Sequence, residues 1–153
     1  MTDGFINLLK PPGLTSHGAV SQMRRLLKTR AIGHAGTLDP AASGVLPLAV
    51  GKATRLLEYI VEQDKTYIGE VTFGVLTDTL DQEGQILWQA PRPPSVDFAQ
   101  LEKVLASMVG EREQVPPAYS AIKYQGRPLY EYARAGKIVQ VPARPITIHA
   151  LTI

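Results

Sequence analysis

The apolar and polar positions along this 153-residue chain change period several times, and the changes mark its elements. Residues 5–9 (Phe-Ile-Asn-Leu-Leu) read as a short strand, stopped by Pro11-Pro12-Gly13. Ser16 is a good helix N-cap, and Val20, Met23 and Leu27 follow at three-to-four spacing, which predicts a helix over 17–28. Arg24, Arg25 and Lys28 fall mostly off that stripe. Residues 31–44 hold Gly33, Gly36, Pro40 and Gly44 with little period, so a shaped loop is expected there. Apolar residues resume from Val45 to Tyr59, with a helix after Gly51. Lys65 to Gly74 alternates with period two and is rich in β-branched and aromatic residues, the best strand signal in the chain. Asp81-Gln82-Glu83-Gly84 then turns toward a second strand, Ile86-Leu87-Trp88.

Farther on, Ser95 ends a Pro-rich break and is placed to cap a helix carrying Phe98, Leu101, Val104, Leu105 and Met108, closed by Gly110. Val115-Pro116-Pro117 interrupts the chain again. Tyr119 to Lys123 reads as a short strand and Leu129 to Arg134 as a short helix, while Ile146 to Ile153 alternates as a final strand. Helix and strand are mixed irregularly, not in βαβ alternation. The fold class expected is therefore α+β, with a mixed or mainly antiparallel sheet. A strand needs neighbours to pair with, so one running to the last residue reads as the front part of a longer, C-terminally truncated protein.

Composition narrows the class. Gly and Pro make 25 of 153 residues, above the usual share of about 12%, which suits a loop-rich domain. The 44% hydrophobic and 20% charged fractions are ordinary globular values. No apolar run approaches the roughly 20 residues of a membrane-spanning helix, and the N-terminus lacks the pattern of a signal peptide. With no cysteine there is no thiolate nucleophile or disulfide framework, and a cytoplasmic location is expected. Charge is polarised. Residues 1–58 carry seven Lys/Arg against three acids, residues 59–118 four against ten, and residues 119–153 five against one. Basic ends favour a polyanionic partner such as nucleic acid, although scattered solvated charges would give the same count.

Several chemistries fail on spacing. Gly51-Lys52 would need a glycine where Leu46 sits and a Ser or Thr where Ala53 sits to form a phosphate-binding P-loop. His17, His34 and His149 have no second histidine at helical spacing, so no metal site is expected. Ala42-Ser43-Gly44 is a poor nucleophile elbow. Asp78, Asp81 and Glu83 do not follow the calcium-loop spacing and read as turn and surface residues.

What survives is His34-Ala-Gly-Thr-Leu-Asp39-Pro-Ala-Ala-Ser-Gly44, a glycine-bounded loop holding one carboxylate. Pro40 biases Asp39 toward extended backbone, and the glycines permit close approach of another chain. From the residues alone, Asp39 is either a nucleophile or base, or a side chain that pins a turn.

The segments HAGTLDPAASGVLP (34–47) and NLLKPPGLTSH (7–17) closely resemble the TruB family of tRNA pseudouridine synthases. The resemblance continues through KTY (65–67), FGVLTDTLDQEG (73–84) and QVPPAYSAIKYQGRPLYEYARAG (114–136), in the family's order. It implies the pseudouridine synthase fold, with a mixed, mainly antiparallel sheet flanked by helices, and isomerisation of uridine 55 in the T-loop of tRNA. It implies no cofactor, metal or energy source. By the same resemblance Asp39 is the catalytic aspartate, Tyr67 stacks on the target base, and His34 meets the T-loop as the uridine leaves its stack. Lys10 supports the catalytic loop. For Tyr67 the residues themselves fit core packing on a strand equally well.

The stretch 119–144 interleaves rings with charges: Tyr119, Lys123, Tyr124, Arg127, Tyr130, Arg134 and Lys137. That suits RNA read through loop shape and unstacked bases. The resemblance implies that this region closes over the T-arm and is mobile without RNA. Family members continue with strands that supply an arginine paired to the catalytic aspartate, and then a small RNA-binding domain. None of these precedes Ile153, so 1–153 is expected to be the N-terminal portion of the catalytic domain of a protein that is monomeric at full length. The alternative is a non-catalytic module that grips or folds the tRNA T-arm.

Overall fold

The computed structural model describes residues 2–137 and 139–153, and falls into two compact units, 1–68 and 69–153. Ile138, inside the expected RNA-contacting stretch, lies outside the described residues.

The first unit is a three-stranded antiparallel sheet with a helix on one face. Strand β1 (Gly4–Lys10) pairs along its full length with β3 (Gly44–Val50), and β3 pairs with the short β2 (Ile32–His34), giving the order β1-β3-β2. Helix α1 (Ser16–Leu26) lies between β1 and β2 in the chain and buries Ala19 and Val20 against Ile32, Leu46, Leu48 and Val50. Ile6, Leu8, Leu14, Met23 and Leu38 pack around that cluster. The alternation of β1 explains its inward face: Ile6, Leu8 and Lys10 are more covered than Phe5, Asn7 and Leu9 between them. A 3-10 helix (Gly51–Leu56) and helix α2 (Leu57–Val61) follow β3.

The helix cap differs from the sequence expectation. Thr15, not Ser16, is the N-cap, its Oγ1 accepting from the Gly18 N–H at 2.9 Å. Leu27 falls just past the helix end and is 43% exposed, so the apolar stripe ends at Met23. The shaped loop is shorter than 31–44 because its first residues form β2 as a partner for β3.

Among its described residues the second unit holds three separate two-stranded antiparallel ladders. Strand β4 (Val75–Thr77) pairs with β5 (Ile86–Gln89) across the predicted turn. Helix α3 (Phe98–Met108) is capped by Asp97, whose carboxylate accepts from the Ala99 and Gln100 N–H groups, so Ser95 is not its cap. Strand β6 (Gly110–Gln114) pairs with β9 (Arg144–Ile148). Strand β6 carries no alternating signal, because Glu-Arg-Glu-Gln is polar on both faces. Strands β7 (Lys123–Tyr124) and β8 (Arg127–Pro128) form a hairpin with positive φ at Gln125 (48°) and Gly126 (82°), as a two-residue primed turn requires. Of the expected strand 119–123, only Lys123 is in a ladder. Helix α4 (Leu129–Arg134) follows directly and buries Leu129.

One strong expectation is corrected. Lys65 to Gly74 forms no ladder, although its alternation is the clearest in the chain. Ile68 is fully exposed, Val71 is 75% exposed and Tyr67 72%. A strand pattern specifies a face, but it makes a strand only where another strand offers hydrogen-bonding groups. Among the described residues none does so here. Strand β9 likewise ends at Ile148, opposite Gly110 where its partner β6 begins, so residues 149–153 of the expected strand lie outside the observed one. The class remains α+β, and every ladder is antiparallel.

Candidate active site

The loop between β2 and β3 carries Asp39 at its crest, and it is held from both ends and from below. At its start, the Ala35 N–H donates to the Pro47 carbonyl at 2.9 Å, extending the β2–β3 ladder by a step. The His34 ring Nδ1 bonds the Gly36 carbonyl. A carbonyl only accepts, so Nδ1 carries the proton, and in the neutral ring Nε2 is left as an acceptor. In the middle, the Leu38 side chain packs on the core. Next to it Asp39 is exposed, and no hydrogen bond reaches its carboxylate among the described residues. The Asp39 carbonyl accepts from the Ala42 N–H at 3.1 Å, which closes a turn at Pro40.

Lys10 holds this turn from beneath. It is fully buried at the end of β1, and its ammonium donates to Leu14 (2.7 Å), Ala42 (2.6 Å), Pro11 (3.1 Å) and Pro40 (3.4 Å) carbonyls. Burying a lysine is costly unless its donors are satisfied, and here backbone dipoles do this. The result ties the turn after Asp39 to the Pro11-Pro12-Gly13 bend. Gly13 strengthens the tie: at φ 80° its N–H donates to the Pro40 carbonyl at 2.7 Å. Ser16, buried to 3% exposure, bonds Leu38 from the other side. Arg24, off the apolar stripe, donates to the Ile32 carbonyl at 2.8 Å and so joins α1 to β2.

Three of the predicted site residues, Asp39, His34 and Lys10, are thus gathered on one framework. Tyr67 is not. It lies at the end of the same unit, and among the described residues neither a hydrogen bond nor a ring contact ties it to the loop. Sequence reasoning missed Ser16 as a brace. Its signal would have been a second hydroxyl directly after a better-placed cap. A cavity of about 600 Å³ in this unit is lined by residues including Asp3, Phe5, Leu27, Lys28 and Arg30, and by none of residues 35–43. Cavity size therefore does not locate the candidate chemistry.

The candidate RNA-contacting side chains lie in the second unit and are exposed: Tyr119, Lys123, Arg127 and Arg134. The Arg134 guanidinium sits 5.4 Å from the Tyr130 ring centroid, and Tyr124 meets Tyr132 edge to face at 5.9 Å. Arg127 pairs with Glu131 at 3.4 Å, one turn on. Such an exposed pair contributes little to stability and leaves Arg127 able to exchange partners. Among the described residues, no group of three or more His, Cys, Asp or Glu side chains is placed to hold a metal ion, and no helix is long and apolar enough to cross a membrane.

The family described as "TruB family pseudouridylate synthase (N terminal domain)" matches residues 24–153. The chain is 50% identical over its whole length to tRNA pseudouridine synthase B of Bacillus subtilis (strain 168), and covers 50% of that protein. It is 54% identical over 97% of its length to tRNA pseudouridine synthase B of Moorella thermoacetica, covering 48% of it. Among solved structures, a chain in "Crystal Structure of a Cbf5-Nop10-Gar1 Complex" superposes with a TM-score of 0.52 at 33% identity, over 78% of this chain and 31% of that one. These matches put the chain in the pseudouridylate synthase class. Within that class it belongs to the TruB family, over the segment described as the family's N-terminal domain. The chain spans about half the length of the curated relatives it matches.

Proposed function

We propose that residues 1–153 are the N-terminal portion of the catalytic domain of a tRNA pseudouridine synthase, acting on uridine 55 in the T-loop with Asp39 as its catalytic residue. The observation that carries this reading is an exposed carboxylate on a loop braced by Lys10, Gly13 and Ser16, in a chain of the TruB family. The reaction breaks the bond from ribose C1′ to uracil N1, turns the base, and joins C1′ to C5. C5 loses a proton and N1 gains one, so the isomerisation balances without a cofactor or metal. A single anionic group near the sugar and base suits each step, whether it adds to carbon or takes a proton.

The substrate must be pulled out of its stack, at a cost of a few kcal/mol. In this reading Tyr67 offsets part of it by stacking on the base, which fits its exposure. His34 presents an imidazole to the loop that the uridine leaves. Tyr119, Lys123, Arg127 and Arg134 contact the T-stem-loop within a segment, 119–144, that closes on RNA. The protein acts in the cytoplasm and is monomeric at full length.

A second reading, T-arm binding without turnover, is favoured by one observation: among the described residues no cation is bonded to the Asp39 carboxylate. The test is to incubate unmodified T-stem-loop RNA with this chain, alone and supplemented with the C-terminal half of the Bacillus subtilis relative. Pseudouridine is then detected by carbodiimide labelling. Product formation supports the enzyme; tight binding without product in both mixtures supports the binding module.

A further inference from the structure

Two adjacent hydroxyls at the start of α1 do different work. Thr15 caps the helix by accepting from the Gly18 N–H. That leaves Ser16, in the first helical turn, free of the usual capping task, and its side chain turns out of the helix. Its Oγ donates to the Leu38 carbonyl at 3.1 Å and accepts from the Leu38 N–H at 2.9 Å. One hydroxyl can do both, since it carries one donor and two lone pairs. The pairing spans 22 residues, and Ser16 is 3% exposed.

Leu38 is the residue immediately before Asp39, and its side chain packs on the core. After Asp39, Lys10 and Gly13 hold Pro40 and Ala42. The Asp39 side chain itself is held by no hydrogen bond among the described residues, so its placement depends on the backbone at both sides. Lys10 secures one side only.

We propose that Ser16 is a positioning residue for Asp39, fixing the peptide on its upstream side as Lys10 fixes the downstream side. This inference rests on the proposed role of Asp39. It assigns Ser16 no contact with RNA. Its removal leaves the Leu38 N–H and carbonyl without a protein partner beside the core, and the loop gains freedom where the carboxylate must be aimed. A displacement of about 1 Å at a catalytic group costs on the order of a hundredfold in rate.

The experiment compares Ser16→Ala with Thr15→Ala, which removes a hydroxyl at the same helix end but leaves Leu38 bonded. The first readout is amide hydrogen exchange by NMR on this chain. Ser16→Ala raises exchange at Leu38 by about tenfold over Thr15→Ala, while Val20 in the core responds alike in both. The second is conversion of T-stem-loop RNA: Ser16→Ala lowers the rate at saturating RNA ten- to a hundredfold with unchanged Kd, and Thr15→Ala does not. Equal Leu38 exchange in the two variants overturns the inference, as does a rate loss shared equally by both. If the wild type makes no pseudouridine in any mixture, the functional reading fails, and the exchange result still decides whether Ser16 holds the loop.

Discussion

Lys10 and Ala42, 32 residues apart in the chain, are joined by a 2.6 Å hydrogen bond from a fully buried ammonium to a backbone carbonyl. The same nitrogen reaches Leu14 at 2.7 Å, so a single side chain ties the Pro-rich bend to the turn that follows Asp39. Replacing it by the similarly long Met removes the donors and keeps the volume. Lys10→Met is expected to lower unfolding free energy by roughly 2–4 kcal/mol, because the part-buried carbonyls of Leu14, Ala42 and Pro11 lose this donor at once. Urea denaturation measures this, and an unchanged midpoint would show that water replaces the ammonium without cost.

The core and the unpaired segment are expected to respond in opposite ways. Leu48 is fully buried on β3 at the centre of the first unit, and Leu48→Ala costs about 2–5 kcal/mol through lost burial and the cavity left behind. Ile68 is fully exposed, and Ile68→Ala changes stability by no more than about 0.5 kcal/mol. Thermal or chemical unfolding of the two variants checks both. A large loss at Ile68 would mean that the alternating stretch around Tyr67 is packed in the folded chain.

How much of this was legible in the sequence depends on whether the signal was local. Strand β1, the turn before β5 and helix α4 follow from period, proline and glycine within a few residues. The Lys65–Gly74 stretch failed because alternation describes a strand's faces and says nothing about its partner. Strand β6 escaped because its side chains are polar on both faces and its ladder is long-range, to β9. At the candidate site, Asp39 stood out through its Pro and Gly neighbours, and the family resemblance pointed to Lys10. The Lys10 bonds to Pro40 and Ala42, and the Ser16–Leu38 pair, come from chain crossings that no local window contains.

RNA binding should carry an electrostatic signature. If Lys123, Arg127 and Arg134 contact phosphates, the affinity for a T-stem-loop falls linearly in log–log form as salt rises. Arg134→Ala should weaken binding and reduce that slope by about one. It also removes the stacking of its guanidinium on Tyr130. Fluorescence anisotropy across a salt series measures both, and an affinity independent of salt would remove the basic segment from the interface.

The most direct test of the central claim is pseudouridine formation in an unmodified T-stem-loop by the wild-type chain and by Asp39→Asn, each supplemented with the C-terminal half of the Bacillus subtilis relative. Asp39 is exposed and its carboxylate bonds nothing else among the described residues, so the substitution leaves the fold intact. The account predicts product at position 55 with the wild type and none above background with Asp39→Asn. Undiminished product from Asp39→Asn would contradict it.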